Sequence, residues 1–144
     1  MYKHILIATD GSDLAGRAVT AGLALAKQLK AKVTVVTATE PWSAMTTGEP
    51  ALVFPIEDYE KAAADNAQRI LAGVREAAKV ADVECETIHI SNFPAEGIVE
   101  AATTKCCDLI VMASHGRRGL SKFILGSQAT RVLALATMPV LVCR

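Results

Sequence analysis

Short runs of apolar and β-branched residues alternate with longer segments of helical periodicity along the whole chain. Five runs predict strands, at residues 4–8, 33–38, 85–90, 108–113 and 140–143. Between them, apolar residues recur three or four positions apart, which is typical of amphipathic helices. Strands that alternate with helices build a parallel sheet through right-handed crossovers. The pattern therefore predicts an α/β fold, a doubly wound five-stranded parallel sheet with helices on both faces.

The helices have recognisable buried faces and boundaries. The residues that we expect to face the core are Ala15, Val19, Gly22, Ala26 and Leu29 in the first helix, Tyr59, Ala63, Ala67, Ile70, Val74 and Ala77 in the second, Ile98, Val99 and Ala102 in the third, and Ala129, Val132, Leu133 and Ala136 in the fourth. We expect the second helix to start at Asp58, Pro94 to open the third and Pro139 to end the fourth. The polar and apolar alternation of residues 85–90 is typical of a strand at a sheet edge.

The connection at residues 40–57 has no steady periodicity. It contains Pro41, Gly48, Pro50 and Pro55 and is longer than most connections between elements. Loops of this length are often lids or interaction surfaces, while a plain flexible linker explains the same composition. The sequence leaves both interpretations open.

Length and composition narrow the class of protein. A chain of 144 residues is long enough for one domain with a core, so we treat residues 1–144 as a single domain. Hydrophobic residues make up 51%, but each apolar run is far shorter than the ~20 residues of a spanning helix. The first residues lack the features of an export signal. We therefore expect a cytoplasmic protein that does not cross a membrane.

Charge and aromatic content argue against nucleic acid as a partner. Lys and Arg total 15, Asp and Glu total 15, and aromatic residues are only 4% of the chain. Such a chain lacks both a basic surface for the backbone of DNA or RNA and a stacking surface for bases.

Cysteines and histidines give no sign of a metal site. No two of the four cysteines form a C-x-x-C pair. We therefore expect all four to be reduced and to act as small buried hydrophobic residues. They are Cys85, Cys106, Cys107 and Cys143. No two of the three histidines share the spacing of a zinc site.

The glycine-rich segment after the fourth strand, residues 113–127, predicts an anion pocket. Gly116 and Gly119 allow close approach of the backbone, and a helical pattern begins at Ser127. The first amides of a helix have no intrahelical acceptor and lie at the positive end of its dipole, which favours phosphate. A simple strand-to-helix connection, in which the glycines only turn the chain, remains the alternative.

This segment resembles that of the universal stress protein family, whose ATP-binding members carry G-x2-G-x9-G-[S/T] after the fourth strand. Gly116, Gly126 and Ser127 match the motif, and Ala113 stands where the first glycine is expected. The resemblance extends from residues 5–12 to residues 138–142. It implies a strand order of 3-2-1-4-5, in which the direction reverses between the first and fourth strands.

The resemblance also implies a set of binding residues at the ends of these strands. Those residues are Ala8, Thr9, Asp10, Ala38, Met112, Ala113, His115, Gly116, Arg117, Gly126, Ser127 and Gln128. Asp10 would lie near the ribose, Ala38 would offer backbone groups to adenine, and the residues from Gly126 to Gln128 would hold phosphates. The residue types alone favour a ligand contact by Asp10 no more than a role in a turn or helix cap. They likewise favour a phosphate contact by His115 no more than a position in a surface turn.

The sequence contains no catalytic constellation. Residues 11–18 approach a P-loop, but Arg17 and Ala18 replace its lysine and hydroxyl residue. The leading hypothesis is a stress-response regulatory protein that binds ATP, or AMP or ADP, with a magnesium or manganese ion. A slow ATPase or nucleotidyl-transferring enzyme, and a nucleotide-free interaction module, are the alternatives.

The last strand predicts a homodimer. Residues 140–142 are apolar and would lie at a sheet edge, where unpaired backbone groups need partners. Pairing of this strand with its own copy would continue the sheet across a two-fold axis. The family resemblance implies the same arrangement.

Overall fold

The computed structural model describes residues 1–42, 55–116 and 125–144, and most of the 40–57 connection lies outside them. The strands are β1 (His4–Ala8), β2 (Lys32–Thr39), β3 (Cys85–Ser91), β4 (Leu109–Ala113) and β5 (Val140–Cys143). The helices are α1 (Asp13–Leu29), α2 (Ile56–Ala81), α3 (Pro94–Thr104) and α4 (Ser127–Leu135).

All strands of the sheet are parallel, and their order is β3-β2-β1-β4-β5. β1 lies at the centre, where each of its residues is buried, as the continuous apolar run predicts. β3 and β5 are the edges, and each is only partly buried. The predicted fold class and strand order are confirmed.

Alternate side chains of the strands pack into two separate hydrophobic cores, one on each face of the sheet. On one face, Ile5, Ile7, Val33, Val35 and Val111 pack with residues of α1 and α2 such as Leu23 and Leu71. On the other face, Leu6, Ala8, Val36, Ile110 and Met112 pack with residues of α3 and α4 such as Ile98 and Val132. Because strand side chains alternate between faces, the continuous apolar residues 5–8 of β1 supply both cores. Helices therefore cover both faces of the sheet.

The buried face of α2 differs from the predicted one. The structure buries Leu71 and Ala78, whereas the predicted Ala77 is exposed and Ile70 is only partly buried. Apolar residues occupy both positions of each pair, so periodicity could not distinguish them. α2 also begins at Ile56, ahead of the predicted start at Asp58.

Two leucines that we assigned to the core lie at the surface. Leu133 is 46% exposed and Leu29 is 36% exposed. α4 packs through Ala129 and Val132, so its buried stripe is narrow. It ends at Leu135, before Pro139, whose ring would clash with the carbonyl of Leu135 in a continued helix.

The cysteines are less buried than predicted. Cys107 is buried, and this burial raises the pKa of its thiol to about 11. Cys85 and Cys143 are partly buried, whereas Cys106 is exposed. Cys106 has a φ of 54° in the turn between α3 and β4, and this turn directs its side chain outward.

A polar network closes the amino end of the sheet. His4 is 7% exposed, and its Nε2 lies 2.8 Å from Oγ1 of the fully buried Thr34. The carboxylate of Asp108 accepts hydrogen bonds from the amides of Lys3 and His4, at 2.9 and 3.2 Å. These contacts join β1, β2 and the start of β4. Among the described residues, no helix is long and apolar enough to span a membrane.

Candidate functional site

β1 and β4 are neighbours at the point where the strand order reverses. Ile5 pairs with Leu109 and Ile7 pairs with Val111, so both strands end at the same edge of the sheet. Their connections run to helices on opposite faces, because α1 packs on one core and α4 on the other. Such a divergence opens a crevice at the carboxyl edge, where α/β proteins bind ligands.

Asp10 lies in the turn between β1 and α1 and shapes it. Its Oδ1 accepts a hydrogen bond of 2.9 Å from the Ser12 amide, and Gly11 has a φ of 80°. Ser12 then caps α1 through a 3.3 Å bond from the Ala15 amide. The turn function that the sequence left open is therefore present.

The carboxylate of Asp10 also reaches across the crevice. A Cβ built on Gly116 would lie 2.6 Å from Asp10 Oδ2, so the two connections touch at this point. Any residue with a side chain at position 116 would displace the carboxylate. The structure thus brings together two of the residues predicted for the site from chain positions far apart.

Gly126 is required by a second close contact. Its amide donates to the Ser114 carbonyl at 2.8 Å, and a Cβ at Gly126 would lie 2.7 Å from that oxygen and 3.4 Å from His115 Cα. The φ of Gly126 is −63°, which other residues also adopt. Glycine is needed here for space, and this close contact fixes the start of α4 against the end of β4.

The first turn of α4 has amides for which the described residues provide no acceptor. Gly126 is its N-cap, no described side chain caps it, and the turn contains no acidic residue. The first intrahelical bond runs from the Thr130 amide to the Gly126 carbonyl, so the amides of Ser127, Gln128 and Ala129 lack intrahelical acceptors. By contrast, α1 has a serine cap and Asp13 in its first turn. The start of α4 therefore suits an anion.

The Gln128 side chain has a different task from its backbone amide. Its Oε1 accepts a hydrogen bond of 3.2 Å from the Ala95 amide in the first turn of α3. It thereby caps the start of α3, 33 residues earlier in the chain, which no local motif could have indicated. The Oε1 atom of Gln128 is therefore engaged outside the first turn of α4.

The side chains of the remaining strand-end residues are buried. Ala8, Thr9, Met112 and Ala113 are each less than 9% exposed. Met112 packs in the core on the side of α3 and α4, and Ala113 packs on the opposite side. The Thr9 amide donates to Val36 at 3.0 Å, and the Thr37 hydroxyl donates to the Thr9 carbonyl.

Ala113 does not need the conformational freedom of the glycine that it replaces. It is the last residue of β4 and has strand conformation. In the described chain, the non-glycine residues with positive φ are Lys30, Asp82 and Cys106. The departure from the motif therefore imposes no backbone strain.

Ala38 extends past the end of β1. The last residue pair between the two strands is Ala8 with Val36, and the Val36 carbonyl faces β1. Alternate residues of a parallel strand direct their backbone groups to the same side, so those of Ala38 point toward the space beyond β1. Its side chain faces α3 near Gly97.

Serine and histidine follow β4 directly. Ser114 is 4% exposed, and its Oγ lies 3.0 Å from Nδ1 of the partly buried His115. Sequence reasoning missed Ser114, although its position beside the motif was a signal. Arg117 falls within residues 117–124, outside the described part of the chain.

A groove of about 450 Å³ lies between α1 and α2 on the other side of the β1–α1 turn. Thr9, Gly11 and Ser12 form one end of it, and Arg69 lines it from α2. Asp10, Gly116 and Gly126 do not line the groove, whereas Thr9, another residue predicted for the site, does.

Comparison with known proteins agrees with this architecture. The family model for the universal stress protein family matches residues 1–144. The chain is 37% identical to a universal stress protein of Thermus aquaticus over 145 residues, and 31% identical to the universal stress protein YxiE of Bacillus subtilis over 148 residues. Each match covers 100% of both chains.

Solved structures share the fold. The universal stress protein UspA of Lactobacillus plantarum has a TM-score of 0.87 at 23% identity, covering 99% of this chain and 98% of its own. A universal stress protein in complex with cAMP has a TM-score of 0.73 at 24% identity, with 99% and 97% covered. One from Archaeoglobus fulgidus in complex with dAMP has a TM-score of 0.67 at 23% identity, with 99% and 98% covered. Because the family model matches residues 1–144, this chain belongs to the universal stress protein family.

Proposed function

We propose that the protein binds an adenine nucleotide, ATP in particular, in the crevice between β1 and β4. The observation that carries this proposal is the uncapped start of α4, held by Gly126 against the end of β4. Phosphate groups are the anions that such a helix start accommodates best. The complexes of two family members with cAMP and dAMP support an adenine nucleotide as the ligand.

The proposed contacts are those that the family resemblance implies for these residues. Phosphates accept hydrogen bonds from the amides of Ser127 and Gln128 and from the Ser127 hydroxyl. The ribose lies near Asp10, bordered by the backbone of Ala113, and the base meets backbone groups of Ala38. The other proposed contacts come from Ala8, Thr9, Met112, His115, Gly116, Arg117 and Gly126.

A divalent ion in the crevice would be bound mainly by the phosphates of the nucleotide. Among the described residues, no group of three or more His, Cys, Asp or Glu side chains is arranged to hold a metal. Mg²⁺ commonly keeps several waters and binds substrate phosphates with few protein ligands. We therefore expect magnesium or manganese to accompany ATP into the site and Asp10 to be the nearest carboxylate.

We propose a regulatory role in the stress response, in the cytoplasm, by a single-domain protein that works as a homodimer. The exposed side chains of Leu133, Leu135 and Leu141 support a second copy beside β5, since each is more than 40% exposed. Occupancy of the crevice would alter the start of α4, the helix that precedes this edge strand. A slow ATPase that uses the same crevice is the second candidate.

The binding site is tested by calorimetry of ATP with Gly126→Ala. The added Cβ would collide with the Ser114 carbonyl and shift the first turn of α4. Gly73→Ala is the matched control, because a Cβ there meets nothing within 4 Å. We expect Gly126→Ala to weaken ATP binding at least about tenfold, as the loss of one charge-assisted hydrogen bond does. Equal binding by both variants would refute the site assignment.

A further inference from the structure

The groove between α1 and α2 has a polar end beside the β1–α1 turn. Each helix follows a strand of the parallel sheet, and an ion pair between Lys27 and Asp82 joins their C-terminal ends. Ser12 precedes the first of these residues by 15 positions and Arg69 precedes the second by 13, which is roughly 20 Å of helix in each case. Ser12 and Arg69 therefore lie at about the same level of the groove.

This polar end has more hydrogen-bond donors than the described chain uses. The Arg69 guanidinium has five N–H donors, of which one donates to Asn66 Oδ1 at 3.3 Å, and none of the ion pairs among the described residues includes it. The hydroxyl oxygens of Ser12 and Thr9 accept bonds from backbone amides at 3.3 and 3.2 Å. No bond among the described residues uses the proton of either hydroxyl.

The charge of the polar end selects the kind of ligand. Arg69 is the one charged residue among the described residues that line the groove. A guanidinium binds a carboxylate through charge-assisted hydrogen bonds, which can be bidentate. The polar end therefore suits an anion.

The other end of the groove is apolar and contains open space along both helices. Gly16 of α1 and Gly73 of α2 line it, and a Cβ built on either would meet nothing within 4 Å. Glycine is less stable than alanine inside a helix, and packing among the described residues does not require it at these positions. The glycines leave room between the helices, and the apolar side chains farther along are Val19, Val74 and Ala77.

We propose that this groove binds a linear aliphatic carboxylate. Arg69 and Ser12 donate hydrogen bonds to the carboxylate, and the hydrocarbon chain lies along the two glycines toward Ala77. Ala77 follows Arg69 by eight residues, so this part of the groove is roughly 12 Å long. The volume of about 450 Å³ is typical of small-molecule sites. One charged end and an elongated apolar part match such a ligand in both charge and shape.

The proposal goes beyond the proposed function and does not depend on it. Thr9 borders both the groove and the proposed nucleotide contacts, but Gly126 does not line the groove. Gly126→Ala, which we expect to weaken ATP binding, should therefore bind the carboxylate as wild type does. The failure of one site would leave the other standing.

The probes for the test are octanoate and 1-octanol, which have the same chain length and differ in the charge of the head group. Binding is followed by NMR through the backbone amide signals of Gly16 and Gly73. We expect octanoate to shift both signals saturably and to bind wild type roughly three- to tenfold more tightly than 1-octanol, because Arg69 is exposed. Arg69→Gln should abolish this preference by weakening octanoate alone, and Arg69→Lys should keep part of it.

Two further variants control for charge and for space. Arg75→Gln removes the same charge from α2 outside the lining of the groove, so it should bind both probes as wild type does. Gly73→Leu should fold, because leucine favours a helix and the space beside Gly73 is open, and its side chain should block both probes.

Four results would overturn the proposal. One is the absence of shifts at Gly16 and Gly73 when octanoate is added to wild type. Another is the same ratio of octanoate to 1-octanol affinity in wild type and Arg69→Gln. A third is wild-type binding of both probes by Gly73→Leu. The fourth is contact of these glycines with another segment of the chain or a second copy and no response to octanoate, which would mean that protein fills the groove.

Discussion

At the scale of single residues, side chains near the crevice combine structural and proposed binding roles. Asp10 shapes the β1–α1 turn through Oδ1 and meets Gly116 through Oδ2. Gln128 caps α3 with its side chain while its amide belongs to the uncapped turn of α4. Residue type alone left the role of Asp10 open, because a carboxylate serves a turn and a ligand equally well. The local bond from the Ser12 amide shows its structural role in the turn, and the contact with Gly116 joins it to a residue distant in sequence.

Ala113→Gly restores the family motif, and we expect it to destabilise the protein without improving ATP binding. Ala113 is 8% exposed, packs in the core and already has strand conformation. Glycine removes the buried methyl group and adds backbone freedom to the unfolded chain, each of which costs about 0.5–1 kcal/mol. Urea unfolding measures the stability, and calorimetry measures the affinity. A tenfold gain in ATP affinity would show that glycine is needed at this position for ligand approach.

His4 makes stability depend on pH. Burial, and next the charge of Lys32, lower the pKa of His4 below its ordinary value of 6.5, although Asp108 acts in the opposite direction. The folded protein therefore binds this proton less readily than the unfolded chain does. The contribution of neutral His4 is complete above pH 6.5 and is lost as the pH falls below it toward the lower folded pKa.

We therefore expect wild type to lose more unfolding free energy than His4→Gln between about pH 7.5 and about pH 5. The glutamine amide can keep a hydrogen bond to Thr34 but does not titrate. Urea unfolding across this range measures the difference. His89→Gln on the edge strand β3 is the matched variant for the substitution itself, because His89 Nε2 also lies 2.8 Å from a threonine hydroxyl, that of Thr39. An identical slope in His4→Gln would contradict this account.

At the scale of elements, the alternation of backbone groups along β5 determines which residues face β4 and which face the outer edge of the sheet. The carbonyls of Pro139 and Cys143 accept bonds from the amides of Ile110 and Ser114, so these residues face β4. By alternation Leu141 also faces β4, and the backbone groups of Val140 and Val142 face the open edge. The pairing with a second copy that we propose would therefore use Val140 and Val142.

Proline substitutions can distinguish the two sides of β5. Val142→Pro removes an outward N–H, so we expect it to weaken the proposed dimer while most of the monomer fold persists. Leu141→Pro removes an N–H that faces β4, so we expect it to destabilise the monomer. Light scattering at tens of micromolar, where a standard interface of roughly 1,600 Å² should hold, reports the dimer, and urea unfolding reports the fold. A wild-type protein that is monomeric under these conditions would refute the dimer.

At the scale of the whole molecule, the crevice exists because the connections after β1 and β4 run to helices on opposite faces of the sheet. α1 and α2 cover one face of the sheet, α3 and α4 cover the other, and β1 and β4 lie where the connections part. The proposed site would thus consist largely of backbone amides and carbonyls at strand ends. Such a site suits binding and release of a nucleotide, and its described part has few side chains suited to catalysis.

We accordingly expect slow hydrolysis of ATP, below ~1 per second. Rapid hydrolysis needs a positioned base for water, and the described crevice offers Asp10, whose Oδ1 is engaged in the turn, and His115, whose Nδ1 pairs with Ser114. Phosphate release is measured on protein purified free of contaminating ATPase, with Gly126→Ala as the background control. Sustained release above that rate by wild type, and not by Gly126→Ala, would favour the enzyme over the regulatory protein.

The sequence by itself determined the elements, the fold class and the region of the candidate site. Continuous apolar runs identify β1 and β4, and the spacing of Gly116, Gly126 and Ser127 indicates the family motif. These signals are local, since strand and helix periodicity and glycine spacing depend only on neighbouring residues. The strand order came from resemblance to a family, because pairing between strands leaves no local pattern.

Only the tertiary structure decided the contacts between distant segments. It selected Leu71 and Ala78 over Ile70 and Ala77 for the core, because the direction from which α2 approaches the sheet chooses between adjacent apolar positions. It placed Gly116 against Asp10 and showed that Ala113 needs no glycine. It also exposed Cys106 through the turn after α3. For the buried face of α2 and for the contact of Gly116 with Asp10, the deciding interaction joins elements separated along the chain, so its energy depends on the packing of the whole fold.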